Sequence, residues 1–117
     1  MNVAPLRPLI EFSVVEQIDI RIGTIERVEE VAGSTRLLRL IVDFGDHKRT
    51  ILSGMKKERP HPQSLEGTQT LFVVNLAPRK MAGELSEGML FDLGFADGIA
   101  PALAVPERPV PNGSRAG

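Results

Sequence analysis

The chain has 117 residues, enough for one domain with a modest hydrophobic core. It contains no Cys, Trp or Tyr, which excludes disulfides, thiolate metal sites and cysteine nucleophiles. Fourteen Lys and Arg against fifteen Asp and Glu give a net charge of −1, which by itself argues against a polyanionic partner. No apolar run reaches the ~18 residues of a membrane-spanning helix, and residues 1–8 lack the order of a signal peptide. We therefore expect a cytoplasmic protein without membrane contact.

The charges are distributed unevenly along the chain. Residues 36–83 contain nine Lys and Arg against four Asp and Glu, a net charge of +5, whereas residues 1–35 and 84–117 each carry −3. Such an asymmetry can give a neutral protein one positive face. From charge alone, an even scatter over a solvated surface is an equally good interpretation.

The first part of the chain predicts an arm followed by a long, bent strand. The arm, residues 1–13, contains two prolines and closes with a short helix near residues 12–16. Three isoleucines alternate with polar residues over residues 18–23, as in a half-buried strand. The apolar phase slips after Gly23, and a glycine at such a slip indicates a bulge or sharp bend.

Four more strands complete a domain that we expect to cover residues 14–117. Apolar patterning predicts them at residues 37–44, 49–53, 70–76 and 88–94. Residues 62–66 favour one turn of helix between strands three and four, and the proline-rich tail leaves room for a short strand at 101–105. This pattern suits an all-β fold, a five-stranded oligonucleotide/oligosaccharide-binding (OB) barrel with a C-terminal extension. A different small β-barrel fits the pattern as well.

The sequence lacks a catalytic or metal-binding constellation. His47 lies at the turn predicted from Gly45-Asp46 and His61 in a proline-flanked loop, so both are expected to be surface residues. The nucleophile elbow Gly-x-Ser-x-Gly and the glycine-rich phosphate loops are absent. We therefore expect a binding protein, not an enzyme, with no catalytic residues, no metal and no cofactor.

The five phenylalanines limit the kinds of nucleic acid that the chain could bind. Proteins that bind single strands stack bases on exposed aromatic rings. Phe44, Phe72 and Phe91 occupy strand positions typical of a core, and Phe95 is expected to pack although it lies, like Phe12, at the end of an element. A nucleic-acid partner would therefore be a folded RNA recognised through its backbone and shape.

Four blocks of sequence, in the right order, resemble the tRNA-binding domain family. They are Asp-Ile-Arg-Ile-Gly at 19–23, Val-Asp-Phe-Gly at 42–45 with Arg-Thr-Ile-Leu-Ser-Gly at 49–54, Asn-Leu-Ala-Pro-Arg-Lys-Met-Ala-Gly at 75–83 with Ser-Glu-Gly-Met at 86–89, and Pro-Val-Pro-Asn-Gly-Ser-Arg at 109–115. The resemblance implies an OB barrel, a homodimer, recognition of folded tRNA with little sequence preference, and no catalytic activity.

The family has several branches, and the sequence shares features with more than one. It includes free-standing structure-specific tRNA-binding proteins, appended domains of methionyl-tRNA synthetase and related synthetase cofactors, and a CsaA-type chaperone-like branch linked to export. Residues 78–80 and 86–89 resemble the tRNA-binding branch, whereas the single domain and the Asn112-Gly113 ending also resemble the chaperone-like branch. We expect a tRNA-binding protein; the alternatives are a chaperone for unfolded clients and a trans-acting cofactor of an aminoacyl-tRNA synthetase.

The expected RNA contacts lie in the basic segment and around the loop after strand four. Arg79 and Lys80 lie in that loop, where OB barrels bind ligands, and can contact phosphates. Ser86 can hydrogen-bond a sugar or phosphate, and Met89 can pack on a ribose or base unless it belongs to the core. The full set of expected contacts is Arg36, Arg49, Ser53, Lys56, Asn75, Arg79, Lys80, Ser86 and Met89.

Further residues are expected to support these contacts. Glu87 is expected to orient Arg79 or Lys80, because a carboxylate placed directly beside phosphates would repel them. Arg21 is expected to support the residues that contact RNA without touching the RNA itself. Its alternation with Asp19 also suits an ion pair. Asn75 could instead fix its own loop. The apolar tail, residues 99–110, is the candidate for a twofold interface.

Overall fold

Antiparallel strands supply most of the regular structure in the computed structural model, which describes residues 2–117 and leaves Met1 outside. The strands are β1 (Ile20–Glu30), β2 (Leu38–Asp43), β3 (Lys48–Ser53), β4 (Gln69–Val73), β5 (Arg79–Met81), β6 (Glu84–Ser86), β7 (Met89–Leu90), β8 (Asp92–Leu93) and β9 (Ala102–Leu103). The helical elements are α1 (Phe12–Val15) and two 3₁₀ turns at Pro62–Leu65 and Phe95–Asp97. Within residues 2–117, no helix has the length and apolar character needed to cross a bilayer.

Five of the strands form one curled sheet in the order β3-β2-β1-β4-β7. The long β1 pairs with β4 along its first half and with β2 along its second half, so it contributes to both sides of the curl. The open edge of β3 is closed by the segment before β7, where the N–H of Glu87 donates to the carbonyl of Thr50 at 2.9 Å. The predicted all-β, OB-like fold, with a helical turn between the third and fourth strands, is confirmed.

The core lies inside this curl and follows the alternation of the strands. On β2, Leu38, Leu40 and Val42 are fully buried while the residues between them are half-exposed, as expected of a strand with one face on the core. Phe72 of β4 meets Phe44 edge to face, with ring centroids 5.6 Å apart. Each such side chain contributes about 1.5–3 kcal/mol through burial.

The bend in β1 comes from a bulge at Glu26, not from the predicted site at Gly23. The register between β1 and β2 shifts between Ile25 and Arg27, which leaves Glu26 as the extra residue. Gly23 instead permits close packing, because a Cβ there would lie 2.5 Å from Cγ1 of Val42. The prediction of one long bent strand is therefore right, and its bend lies three residues further along the chain.

The segment after β4 was expected to be a loop, but it contains a β-hairpin. Its strands β5 and β6 are joined by Ala82 and Gly83, whose φ angles are +48° and +81°. Two consecutive positive φ angles are the requirement of a type I′ turn, whose twist matches that of the flanking strands. The hairpin therefore has a defined direction and holds its side chains in fixed positions.

The predicted fifth strand, residues 88–94, is divided in two. Its first part, β7, pairs with β4, and its second part, β8, pairs with β9 in the C-terminal extension. Phe91 lies at the division and is 43% exposed, so the prediction that it is a core residue is wrong. Phe95, which was expected to pack, is 79% exposed, because it begins a 3₁₀ turn beyond the sheet.

The C-terminal segment returns to the start of β1. The N–H of Gly113 donates to the carbonyl of Ile22, and the N–H of Ala116 donates to that of Ile20. The N–H of Ile22 in turn donates to the carbonyl of Ser114. The end of the chain therefore lies beside the end of β4 and the turn between β2 and β3.

Replacing Gly23 by Ala should destabilise the protein by about 1–3 kcal/mol, because the added methyl would force Val42 and Phe44 out of their packed positions. Urea unfolding followed by circular dichroism measures this change. The control is Gly54→Ala, where the nearest atoms to the added Cβ belong to the flexible side chain of Arg36, the closest at 3.4 Å. Equal stability of the two variants would contradict the packing role of Gly23.

Candidate nucleic-acid interface

Two adjoining cavities lie where β3 meets the end of β4. One, of about 360 Å³, we call the Asn75 cavity; the other, of about 430 Å³, we call the Pro78 cavity. His47, Arg49 and Val74 line both, and we call the two adjoining cavities together the groove. The Asn75 cavity is also lined by Asp19, Arg21, Phe44, Asp46, Asn75 and Gly113, and the Pro78 cavity by Lys48, Leu76, Pro78 and Glu87.

Arg49 is the centre of this groove and also holds its walls together. Its Nη1 donates to the carbonyl of Val74 at 2.6 Å and to that of Glu87 at 3.1 Å, while its Nε donates to Nε2 of His47 at 3.1 Å. The guanidinium lies 5.9 Å from the ring centroid of Phe44. Its Nη2 makes no hydrogen bond to the described residues, so the group retains donors for a ligand.

Glu87 stabilises the barrel closure and does not contact Arg79 or Lys80. Its Oε1 accepts a hydrogen bond from the N–H of Thr50 at 2.9 Å, beside the backbone bond between the same residues. The carboxylate therefore completes the ladder to β3 where a regular strand pair is missing. The expected role of orienting the hairpin cations does not fit this geometry.

Ser86 also belongs to the closure. Its side chain is buried, with the residue only 2% exposed, and Oγ accepts from the N–H of Leu52 and donates to the carbonyl of Gly88, both at 3.0 Å. The hydroxyl is used within the fold and is not accessible to a sugar or phosphate. Ser86 therefore positions the base of the hairpin, which differs from the expected direct contact.

Arg79 and Lys80 are exposed on β5, and neither has an ion-pair partner within 4 Å among the described residues. Neighbouring side chains of a strand point to opposite faces. Arg79 therefore shares the face of Met81, which packs against a small buried cluster of Val31, Leu37 and Leu52, whereas Lys80 shares the outer face with Leu85. The two cations point in opposite directions and do not form one side-by-side pair.

Ion pairing and packing fix the hairpin on the barrel. The carboxylate of Glu84 accepts from Nε of Arg39 at 2.7 Å, and Arg39 also bonds Glu29. Met81 contacts the buried cluster formed by Val31, Leu37 and Leu52. These contacts give the exposed cations of β5 a rigid support.

The other expected contacts are divided between the far end of β3 and the start of β7. Arg36 is exposed and lies over Gly54, and its carbonyl accepts from the N–H of Lys56. Lys56 pairs with Glu30 at 3.0 Å. Ser53 is half-buried at the end of β3, and Met89 is 46% exposed at the start of β7.

Asn75, Asp19 and Arg21 anchor the chain that leads into β1. Oδ1 of Asn75 accepts from the N–H of Asp19 at 2.8 Å, and its Nδ2 donates to the carbonyl of Gln17 at 2.6 Å. Arg21 donates to Asp19 through two nitrogens, and Arg115 from the C-terminal segment donates to the same carboxylate through Nε and Nη2. The Arg21 guanidinium is the main reason that the pKa of Asp19 lies below its usual value. The expected ion pair is therefore present.

His47, predicted to be a surface residue without a special role, lies in the lining of the groove. Its ring stacks on Phe44 at 5.6 Å, with an interplanar angle of 22°. The available signal was the two-residue turn at 45–46, because such a turn makes its flanking residues direct cross-strand neighbours. The N–H of Phe44 indeed donates to the carbonyl of His47 at 2.9 Å.

Comparison with known proteins identifies the family. Residues 20–115 match the family model described as "Putative tRNA binding domain", and the chain belongs to this family. A MetRS-related protein from Pyrococcus horikoshii has 34% identity and a TM-score of 0.86, over 95% of this chain and 100% of that one. The resemblance inferred from the four sequence blocks is therefore confirmed.

Two further solved structures are similar to this chain. The chaperone CsaA from Bacillus anthracis str. Ames shares 27% identity with a TM-score of 0.79, over 94% of this chain and 100% of that one. The C-terminal domain of p43 from Plasmodium vivax shares 26% identity with a TM-score of 0.78, over 86% of this chain and 60% of that one. Proteins with different names therefore share this fold.

Ser86→Ala should lower the free energy of unfolding by about 1–3 kcal/mol, because the buried N–H of Leu52 loses its acceptor. Urea unfolding measures the loss. Ser53→Ala serves as the matched control on β3, since the Ser53 hydroxyl makes no hydrogen bond to residues 2–117, and its effect should stay within about 0.5 kcal/mol. A Ser86→Ala variant as stable as the control would remove Ser86 from the closure.

Proposed function

We propose that this protein binds folded tRNA through its phosphate backbone and overall shape, and that it catalyses no reaction. Membership of the tRNA-binding domain family supports tRNA as the partner. The proposed domain covers residues 14–117, with residues 1–13 as an arm. A protein of this kind works in the cytoplasm, where its RNA partner is found.

The distribution of unpaired cations is the observation that carries this proposal. Of the nine cations in residues 36–83, four form ion pairs with carboxylates; the five without an ion-pair partner among residues 2–117 are Arg36, Arg49, Lys57, Arg79 and Lys80. Unpaired cations on a rigid surface bind phosphates without first breaking an internal ion pair. The excess charge of the middle segment therefore remains available to a polyanion.

The proposed interface extends from the groove over the hairpin to the far end of β3. Arg79 and Lys80 would contact phosphates on either side of the hairpin, with Arg49 in the groove and Arg36 beyond it. Ser53, Lys56 and Met89 lie between or beside these cations and complete the surface. In this proposal Ser86, Glu87 and Arg21 act through the fold, because their polar atoms already bond within the protein, whereas Asn75 lines the Asn75 cavity and is a direct contact.

Filter binding to total tRNA over a salt series tests the proposal. Affinity should fall steeply with salt, with a log–log slope of roughly −0.7 to −0.9 per phosphate contact. Lys80→Glu should weaken binding more than Lys57→Glu and should reduce the slope by about one contact. Both are exposed, unpaired lysines of the basic segment, so the two variants are matched in charge change.

Two results would count against this proposal in different ways. Failure of the wild-type protein to bind tRNA at low salt would overturn the function itself. Equal weakening by the two lysine variants would keep the function and remove the hairpin from the interface.

We further propose that the protein is a homodimer. Large apolar side chains are exposed both in the arm, at Leu6, Leu9 and Phe12, and in the C-terminal extension, at Phe95 and Val105. The N–H of Ala4 donates to Asp97 at 2.6 Å, so the arm and the extension adjoin. Exposed apolar groups on adjoining segments favour a shared interface with a second copy.

Light scattering should give twice the chain mass of 12.8 kDa for the wild-type protein. Phe95→Glu should shift the mass towards the monomer, because a charge replaces an exposed apolar side chain without disturbing the core. Lys57→Glu is the control and should leave the dimer intact. A wild-type monomer at the concentrations used for tRNA binding would contradict the dimer.

A second candidate function is that of a chaperone. The same exposed apolar side chains favour it, together with the likeness to a structure named as chaperone CsaA. Such a protein would suppress the aggregation of an unfolded client, and added tRNA would not relieve this effect. A role as a cofactor of an aminoacyl-tRNA synthetase would instead require a stable complex with the enzyme.

A further inference from the structure

The Asn75 cavity has the charge balance of a site for a neutral polar group, not for a phosphate. The carboxylates of Asp19 and Asp46 offset the guanidinium groups of Arg21 and Arg49 along its lining. Asp19 already bonds Arg21, and Asp46 bonds His47, so neither carboxylate is an isolated charge. Its volume of about 360 Å³ falls at the lower end of the range of small-ligand pockets.

One wall of this cavity is an aromatic ring held in a fixed orientation. Phe44 covers one face of the His47 imidazole, yet the His47 side chain is 45% exposed, which leaves its other face open. Nε2 accepts from Nε of Arg49, so the ring proton resides on Nδ1, which donates to Asp46 at 2.6 Å. A ring fixed at both nitrogens loses little rotamer freedom when a second ring stacks on it.

Other groups of the lining suit the edge of a planar ligand. The amide of Asn75 uses one of its two N–H groups and one oxygen lone pair within the protein, which leaves one donor and one acceptor. An asparagine amide is complementary to the donor and acceptor pattern of a base edge. Val74 adds an apolar surface, and Arg49 retains its Nη2 donors.

We propose that the Asn75 cavity binds one unpaired nucleobase of the RNA, stacked on the open face of His47. This inference rests on the proposed RNA partner and adds a stacking contact to the backbone contacts of the remaining surface. The base would lie between His47 and the Asn75 amide, and the following phosphates would reach the cations of the Pro78 cavity and the hairpin. An unpaired base is required, because a paired base cannot leave its helix without losing its stacking.

The two histidines allow a direct test in the wild-type protein. Proton NMR of the imidazole C–H resonances at pH 7.5, during titration with adenosine 5′-monophosphate, should show an upfield shift at His47 caused by the stacked base. His61 is exposed in a separate loop and provides the internal control, so its resonances should not move. Ribose 5-phosphate should leave both histidines unchanged.

Variants extend the test to tRNA. His47→Ala should weaken tRNA binding roughly tenfold, the size expected for loss of one base–aromatic stack. His47→Phe should restore most of the affinity, since it keeps the ring while removing both ring hydrogen bonds. His61→Ala is the matched control and should bind as the wild type does.

The outcomes separate the nucleobase pocket from the proposed function. Normal tRNA binding by His47→Ala, with no shift of His47 in the nucleotide titration, would overturn the pocket and leave tRNA binding intact. Equal shifts with ribose 5-phosphate would show a phosphate site and also overturn it. Absence of tRNA binding by the wild type, with a selective His47 shift, would overturn the proposed function and leave the pocket.

Discussion

Closure of the sheet between β3 and residues 86–88 is the constraint on which the rest of the structure depends. The sheet ends at β3, and an edge strand left open would expose unpaired backbone groups. Side chains supply many of the closing hydrogen bonds. Glu87 and Ser86 accept from the N–H groups of Thr50 and Leu52, respectively. Arg49 donates to the carbonyls of Val74 and Glu87. The same atoms fix where the hairpin begins and where the groove lies, so the contacts that close the barrel also define the surface.

The cations of the protein fall into two groups, those that form ion pairs within the fold and those that do not. Cations that pair with carboxylates from the acidic ends, such as Lys48 with Glu26 and Lys56 with Glu30, connect distant parts of the chain. The remaining cations of the middle segment have no such partner among residues 2–117. A net charge of −1 averages over these groups and conceals the difference, because it counts a paired and an unpaired cation alike. Pairing, not total charge, decides which side chains can meet a polyanion.

Strand periodicity was sufficient to predict a small all-β barrel, and the resemblance of four sequence blocks to a known family implied the OB type, whereas the site needed long-range geometry. Alternation located β1 to β4, and the helical turn before β4 followed from its prolines and glycine. The hairpin was missed because β5 and β6 have three residues each, too few for a period to emerge, although Ala82-Gly83 is a turn signal. The burial of Ser86 and the stacking of His47 depend on partners 34 residues away and across a turn, respectively, and no local pattern encodes the first of these.

The type I′ hairpin also restricts how the exposed cations of this surface can vary. A hairpin grows in paired steps, and one added pair lengthens it by about 3.3 Å while reversing the face of every side chain beyond the insertion. A single added pair between the barrel and Lys80 would therefore turn its ammonium group towards the small cluster beneath Met81. Only insertions of two pairs would move the charge outwards and keep its direction. The distance from the barrel at which this hairpin presents Lys80 is consequently adjustable only in steps of about 6.6 Å.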